Sequence, residues 1–385
     1  MIEMSHKLNI NFTLWSTGLA GGTRTIFEVA NRLAKKGHRV TITALGGDHS
    51  WFPLNVPVNY VNPPKWLKII KPYVRLFKKR DVRYLDLAYL LDHSKLLSRL
   101  NMSIDFIKPL AEAIPECDID VATFCFTAYA VYRKGVGSGF YYVQHYEPLF
   151  FNDSYYQMMA KETYYLPLIP LTVSKWLYKK MKNFGHEPVY VGNGVNSEVF
   201  YPRENEKEKN SILSIFRDAR WKGGYEVLTA LKEVAKHKKI KLIAIGKEKV
   251  IKELFKNFYP LNFKVEFYHN VSDDELAKLY SRAKLYVGGS WYEGFYLPAL
   301  EAMACGTPVV TTDNLGIRDF AINKVNSLIV PPKKPKMLAD AIVNLLNNEN
   351  LAEQLRINGL KTAKKFTWDK VVDRVEKAFI KSLRK

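Results

Sequence analysis

Short apolar runs alternate with amphipathic stretches along this chain, break off at a polar segment over residues 203–210, and then restart. That double alternation limits the fold more than any other feature. In the first half, the spacing predicts strands over 8–12 and 39–45. Between them it predicts a helix over 23–36, with Ile26, Val29, Ala30 and Leu33 recurring on one face and Gly37 ending it. Apolar runs at 119–126, 140–143, 166–173 and 189–191 continue the pattern. The second half reads as strands over 212–216, 241–246, 265–268, 285–288, 309–312 and 327–330, with helices over 225–237, 273–283 and 297–305. Strands interleaved with helices imply an α/β fold whose parallel sheets are covered on both faces. A length of 385 residues suits two such domains, at ~150 residues each. We place them at 1–195 and 196–365. Ligands of doubly wound domains sit at the carboxyl ends of the strands.

An apolar share of 47% with 25% charged residues belongs to a globular chain rather than a disordered one. The three cysteines, Cys117, Cys125 and Cys305, lack metal-type spacing and read as reduced thiols of a cytoplasmic protein. No window of 18 apolar residues is present, and the N-terminal residues lack the apolar region of a signal peptide. A net charge of +20 calls for a partner, either nucleic acid or an anionic membrane surface. Residues 65–83 carry eight basic side chains and one acidic one, interleaved with Trp66, Ile70, Tyr73 and Phe77. That composition suits a segment lying on anionic lipid, which would place the protein peripherally at the inner face of the membrane.

The densest chemistry lies at 292–310. A loop, Glu293-Gly294-Phe295-Tyr296, feeds a helix that opens at Leu297-Pro298 and ends at Cys305-Gly306. Free amides at a helix N-terminus form a ready anion site. Glu293 and Glu301, eight residues apart, are placed to grip hydroxyls beside a bound phosphate. Arg217 and Lys222, with Arg220 between them, follow the first strand of the second half and abut Gly223-Gly224. Two cations on such a loop suit a diphosphate that gains charge as it leaves. Gly21-Gly22, with Arg24, follows the first strand, and His145 follows the strand at 140–143. Ser174-Lys175 sits at a strand-to-helix junction. The run Ser272-Asp273-Asp274-Glu275 reads as a capping box.

The run 292–310 resembles the Glu-x7-Glu motif of retaining glycosyltransferases of the GT-B fold, family 4. Arg217 and Lys222 match the spacing of that family's Gly-Arg-Leu-x-x-x-Lys-Gly motif, although Phe216 and Asp218 depart from it. The resemblance implies two Rossmann-like domains facing across a cleft, with a last helix, 366–385, returning to the first domain. It also implies a donor site where Arg217 and Lys222 neutralise the departing diphosphate and the amides of Gly294, Phe295, Tyr296 and Leu297 hold its phosphates. Glu301 would take the ribose, and Glu293 the donor sugar. The family's N-terminal glycine loop, matched by Gly21, Gly22 and Arg24, approaches donor phosphates and acceptor. His145 matches the family's His beside the transferred sugar, with Tyr146 where the family has Asp. Asn193-Gly194-Val195-Asn196 resembles the family's interdomain segment.

The implied activity is hexosyl transfer with retention, from a nucleotide diphosphate sugar to a glycan or lipid-linked acceptor, in synthesis of cell-surface polysaccharide or glycoconjugate. No cofactor and no metal is expected, because no Asp-x-Asp motif stands out and the two cations bring the charge a metal would supply. The Gln-x-Tyr-Glu-Pro wording around His145 is similar to a subgroup that builds rhamnose-containing polysaccharides. Two other readings remain at this point. A GT-B sugar-nucleotide epimerase would share the phosphate site. A nucleic-acid-binding protein would use the charge but leaves Glu-x7-Glu unexplained, so no nucleic acid is expected.

Overall fold

Residues 7–61, 106–203 and 208–384 are described by a computed structural model. The basic segment 65–83 therefore lies outside the described residues. The chain divides into two compact units, residues 1–192 with 371–385, and residues 193–370.

The first unit is built on β1 (Asn9–Leu14), β2 (Arg39–Ala44), β3 (Val58–Tyr60), β4 (Ile119–Ala122), β5 (Ser138–Val143), β6 (Ile169–Thr172) and β7 (Val189–Tyr190). They hydrogen-bond in the order β3-β2-β1-β4-β5-β6-β7, all parallel. The strand order reverses between β1 and β4, so the loops after these two strands flank the topological switch point. Helix Gly21–Lys35 buries Ile26, Phe27, Val29, Ala30 and Leu33 completely. The larger of these side chains, Ile26, Phe27, Val29 and Leu33, each contribute about 1.5–3 kcal/mol relative to exposure.

The last helix, Trp368–Leu383, crosses from one unit to the other. Its Val371, Val372, Val375 and Phe379 are buried, and the Phe379 ring meets Phe140 edge-on with centroids 4.9 Å apart. Lys36 Nζ lies 2.7 Å from Asp373 and 2.5 Å from Glu376, and His38 Nε2 lies 2.9 Å from Glu376.

The second unit carries β8 (Glu208–Phe216), β9 (Lys241–Gly246), β10 (Lys264–Tyr268), β11 (Ala283–Val287), β12 (Val309–Thr312) and β13 (Leu328–Val330). Their order, β10-β9-β8-β11-β12-β13, is again wholly parallel, with the switch between β8 and β11. Helix Gly224–Val234 buries Val227, Leu228, Leu231 and Val234 in a core shared with helix Pro335–Asn347. Gly194 lies where a Cβ would come within 2.6 Å of the Trp368 backbone nitrogen, so only glycine lets that crossing form.

Several boundaries differ from the sequence expectation. The run 119–126 is a strand only to Ala122, because helix Cys125–Lys134 begins inside it. The run 166–173 narrows to Ile169–Thr172 after a short 3-10 turn at Thr163–Tyr165. Ala283 opens β11 instead of closing helix Asp273–Arg282. Gly21 and Gly22 form the first turn of their helix and not a loop before it. Helices Glu248–Lys256 and Glu349–Ala363 were not read from the sequence.

Candidate functional site

In the second unit, the loops after β8 and β11 flank the switch point, and the predicted cations and carboxylates stand on them. Lys222 Nζ donates to both carboxylate oxygens of Glu293, at 2.9 and 2.8 Å. Glu293 is only 7% exposed, so its carboxylate meets Lys222 largely out of water. The two loops are tied at further points. Trp291 N donates to Trp221 O at 2.7 Å, and the Trp221 and Tyr292 rings stack 5.7 Å apart at 16°. Gly223, at φ +70°, passes so close to Gly289 that a Cβ would sit 1.8 Å from the Gly289 carbonyl oxygen. Beneath the loop, Gly288 leaves room for the Tyr296 phenol, which a Cβ would meet at 2.0 Å.

The Glu293 backbone is anchored from behind. Its N–H donates to Asn314 O at 2.8 Å, and Asn314 Oδ1 accepts from Ile317 N at 3.0 Å. Phe295, Tyr296 and Leu297 bury their side chains, which leaves only backbone atoms of this stretch to meet a ligand. The Leu297 N–H turns to Phe295 O at 3.3 Å. Glu301 is buried on helix Leu297–Ala304, and the Tyr280 phenol donates to it at 3.4 Å. Burial, and then the Glu301 charge, raises the Tyr280 phenol well above its ordinary value, while Arg217 acts in the opposite sense. Arg217 itself is exposed. Arg220 pairs with Glu226 at 2.7 Å and lies 4.7 Å over the Trp291 ring, which Lys333 also covers at 4.0 Å.

In the first unit, Gln144 follows β5 and its side chain lies against Gly22, where a Cβ would approach it to 3.2 Å. That contact joins the glycine turn bearing Arg24 to the His145 loop. His145 is 7% exposed, its Nδ1 lies 3.3 Å from Tyr146 O, and its ring is 4.5 Å from Phe150. Ser174 starts helix Lys175–Lys182 without capping it, and its buried Oγ has no hydrogen-bond partner among the described residues. Ser272, by contrast, caps its helix by accepting from Glu275 N. Among the described residues no group of three or more His, Cys, Asp or Glu side chains is arranged to hold a metal ion.

The sequence reading missed Glu147. Its buried carboxylate accepts from Cys125 N at 2.5 Å and from Tyr141 Oη at 2.9 Å, capping from outside a helix whose own N-cap is Phe124. The Tyr164 phenol receives Glu147 N–H at 2.9 Å and donates to His145 O at 3.2 Å. Glu147 therefore pins the His145 loop. A charged residue inside an aromatic run was the available sequence signal.

Burial pushes the Glu147 carboxyl from 4.5 up to about 7, against the hydrogen bonds from Tyr141 and Cys125. A raised carboxyl stabilises the fold fully below its unfolded value and loses that contribution as pH rises through its folded value. Stability should thus fall between pH 4.5 and about 7 through this group. Asp120, pushed by burial to about 6, acts in the same direction. Melting curves of wild type and Glu147→Gln should diverge across this window, with wild type losing ground as pH rises from 4.5 to about 7. A gap that does not change with pH would remove Glu147 from the titration.

The model of a family described as glycosyl transferases group 1 matches residues 197–362. An uncharacterized glycosyltransferase of Methanocaldococcus jannaschii is 32% identical over 212 residues, 54% of this chain and 58% of that protein. The O-antigen chain mannosyltransferase B of Escherichia coli is 34% identical over 99 residues, 26% of each chain. The chain thus spans little more than half the length of the first of these relatives. Sucrose-phosphate synthase from Thermosynechococcus elongatus superposes with a TM-score of 0.76 at 17% identity, over 98% of this chain and 99% of that one. The Anabaena protein HepE, solved in complex with UDP-glucose, gives 0.73 at 15% identity, over 98% and 99%. At those identities the likeness shows the fold, two doubly wound parallel domains of the GT-B type.

Proposed function

We propose, from the match of residues 197–362 to the glycosyl transferases group 1 family, that the chain transfers a hexosyl group, with retention, from a nucleotide diphosphate sugar to a glycan or lipid-linked acceptor. The observation that carries this reading is the Lys222–Glu293 pair at the switch point of the second unit, with Glu301 buried in the helix that follows. A cation held by a carboxylate at that point is poised to exchange its partner for an incoming diphosphate. Arg217, exposed on the same loop, adds the second charge. As the bond to the anomeric carbon breaks, negative charge grows on the diphosphate, and preoriented cations stabilise that state more than the ground state. Glu301 takes the ribose hydroxyls, and Glu293, released by Lys222, takes the donor sugar. Backbone amides of the loop that enters helix Leu297–Ala304, at its positive end, hold the phosphates. Attack of the acceptor hydroxyl from the leaving-group face of an ion pair then accounts for retention.

The donor complex of HepE makes UDP-hexoses the first donors to test. The O-antigen mannosyltransferase among the relatives favours a cell-surface glycoconjugate as the product class. Among the described residues no helix is long and apolar enough to cross a membrane. Access to a lipid-linked acceptor would then come from peripheral attachment through the basic segment 65–83.

His145 belongs to the first unit and, in this reading, faces the transferred sugar rather than the nucleotide. His145→Ala should slow transfer at least tenfold and leave UDP affinity unchanged, as read by a coupled assay of UDP release beside calorimetry. Transfer at the wild-type rate would sink the assignment. UDP released equally fast with and without acceptor would sink the transferase reading itself.

A further inference from the structure

The strands of the first unit deliver a continuous surface of aromatic rings to the switch point. Trp15 directly follows β1, Phe124 follows β4 by two residues, and His145 follows β5 by two. From the His145 ring, Phe150 lies 4.5 Å away, and Phe124 lies 6.5 Å beyond it. Phe124 in turn meets Trp15 at 6.2 Å and Phe126 at 5.6 Å. Phe126 meets Phe151 at 5.9 Å and Tyr156 at 6.3 Å. All of these rings beyond His145 are at least partly exposed, and the surface runs out along helix Ser154–Glu162, where Tyr155 is 59% exposed, Tyr156 45% and Met158 53%. A soluble protein seldom leaves so many linked rings in partial contact with water without a partner for them.

The chemistry of the rings selects that partner. Four of the six are phenylalanine, which offers no hydroxyl or N–H to a sugar, whereas Tyr and Trp carry the polar handle that a hydroxylated ligand would use. A hydrocarbon chain needs only apolar area. Lys180 Nζ lies 4.6 Å over the Tyr146 ring, beside His145, and suits an anionic group at the head of such a chain. We infer that this aromatic surface seats the apolar chain of a lipid-linked acceptor, with the chain lying from Phe150 toward Tyr156 and the acceptor hydroxyl at His145. The inference rests on the glycosyltransferase reading and narrows its acceptor class.

The test is calorimetric titration of farnesyl phosphate into the full chain, with saturating UDP present to occupy the donor site. Inorganic phosphate and maltotetraose serve as controls. The double variant Tyr155→Ser/Tyr156→Ser changes only exposed side chains, and its melting temperature checks the fold. Wild type is expected to bind farnesyl phosphate, and the variant about tenfold more weakly, with unchanged UDP affinity. Absent or equal farnesyl phosphate binding overturns the inference, as does maltotetraose binding that the variant loses. Failure of UDP to bind wild type counts instead against the donor site, and the farnesyl phosphate titration still decides the aromatic surface.

Discussion

Lys222→Ala is expected to lower nucleotide diphosphate affinity by roughly ten- to hundredfold, because removal of a charged hydrogen-bond partner costs about 1.5–3 kcal/mol. Turnover should fall further, since the lost charge acts most strongly on the departing diphosphate. The variant also leaves Glu293, 7% exposed, without the cation that donates to both its oxygens. An unsatisfied buried acceptor costs about 1–3 kcal/mol. Binding and stability can be separated with Lys222→Ala/Glu293→Gln, which removes the stranded charge. Its melting temperature should recover part of the loss while affinity stays low. Full recovery of affinity in the double variant would mean that Lys222 serves only to neutralise Glu293. Affinity at the wild-type level in the single variant would exclude Lys222 from the donor site.

Gly223→Ala should be the most damaging single methyl group in the second unit. The residue sits at φ +70°, and the added Cβ would lie 1.8 Å from the Gly289 oxygen and 2.2 Å from its carbon. Both obstacles are backbone, so no side chain can swing aside. A left-handed conformation costs a non-glycine residue about 1–2 kcal/mol, and overpacking typically adds about 1–3 kcal/mol. For a domain of this size the sum corresponds to a drop of roughly 4–20 °C in melting temperature. Gly185→Ala is the control: it carries φ +85° but meets nothing within 4 Å, so it should show the conformational cost alone. Calorimetry should move one transition for Gly223→Ala, accompanied by loss of nucleotide affinity as Lys222 leaves Glu293. Equal melting of the two variants would show that the loops do not approach as described.

Parts of this structure can be read from neighbouring residues alone. A strand covered on both faces is apolar along most of its length, so β9 announces itself as a local run. The turn Glu293–Tyr296 and the helix with Pro298 in its first turn follow from local backbone preferences. The same signal misplaced boundaries, as at 119–126, because an apolar run does not record where a buried strand gives way to a buried helix turn. The candidate residues themselves were legible because they cluster on strand-to-helix loops.

Their arrangement was not. Lys222 and Glu293 are 71 residues apart, and nothing near either one names the other as its partner. Glu147 reads in the chain as one more polar residue of a loop, until the fold sets it under the N-terminus of helix Cys125–Lys134. The aromatic surface draws its rings from loops after different strands. What the sequence determined by itself was the set of elements and the chemistry carried on each loop, since both depend on short-range periodicity and backbone preference. Only the tertiary structure decided which loops meet, because placing β1 beside β4 and β8 beside β11 is a choice of strand order made by packing across the whole sheet.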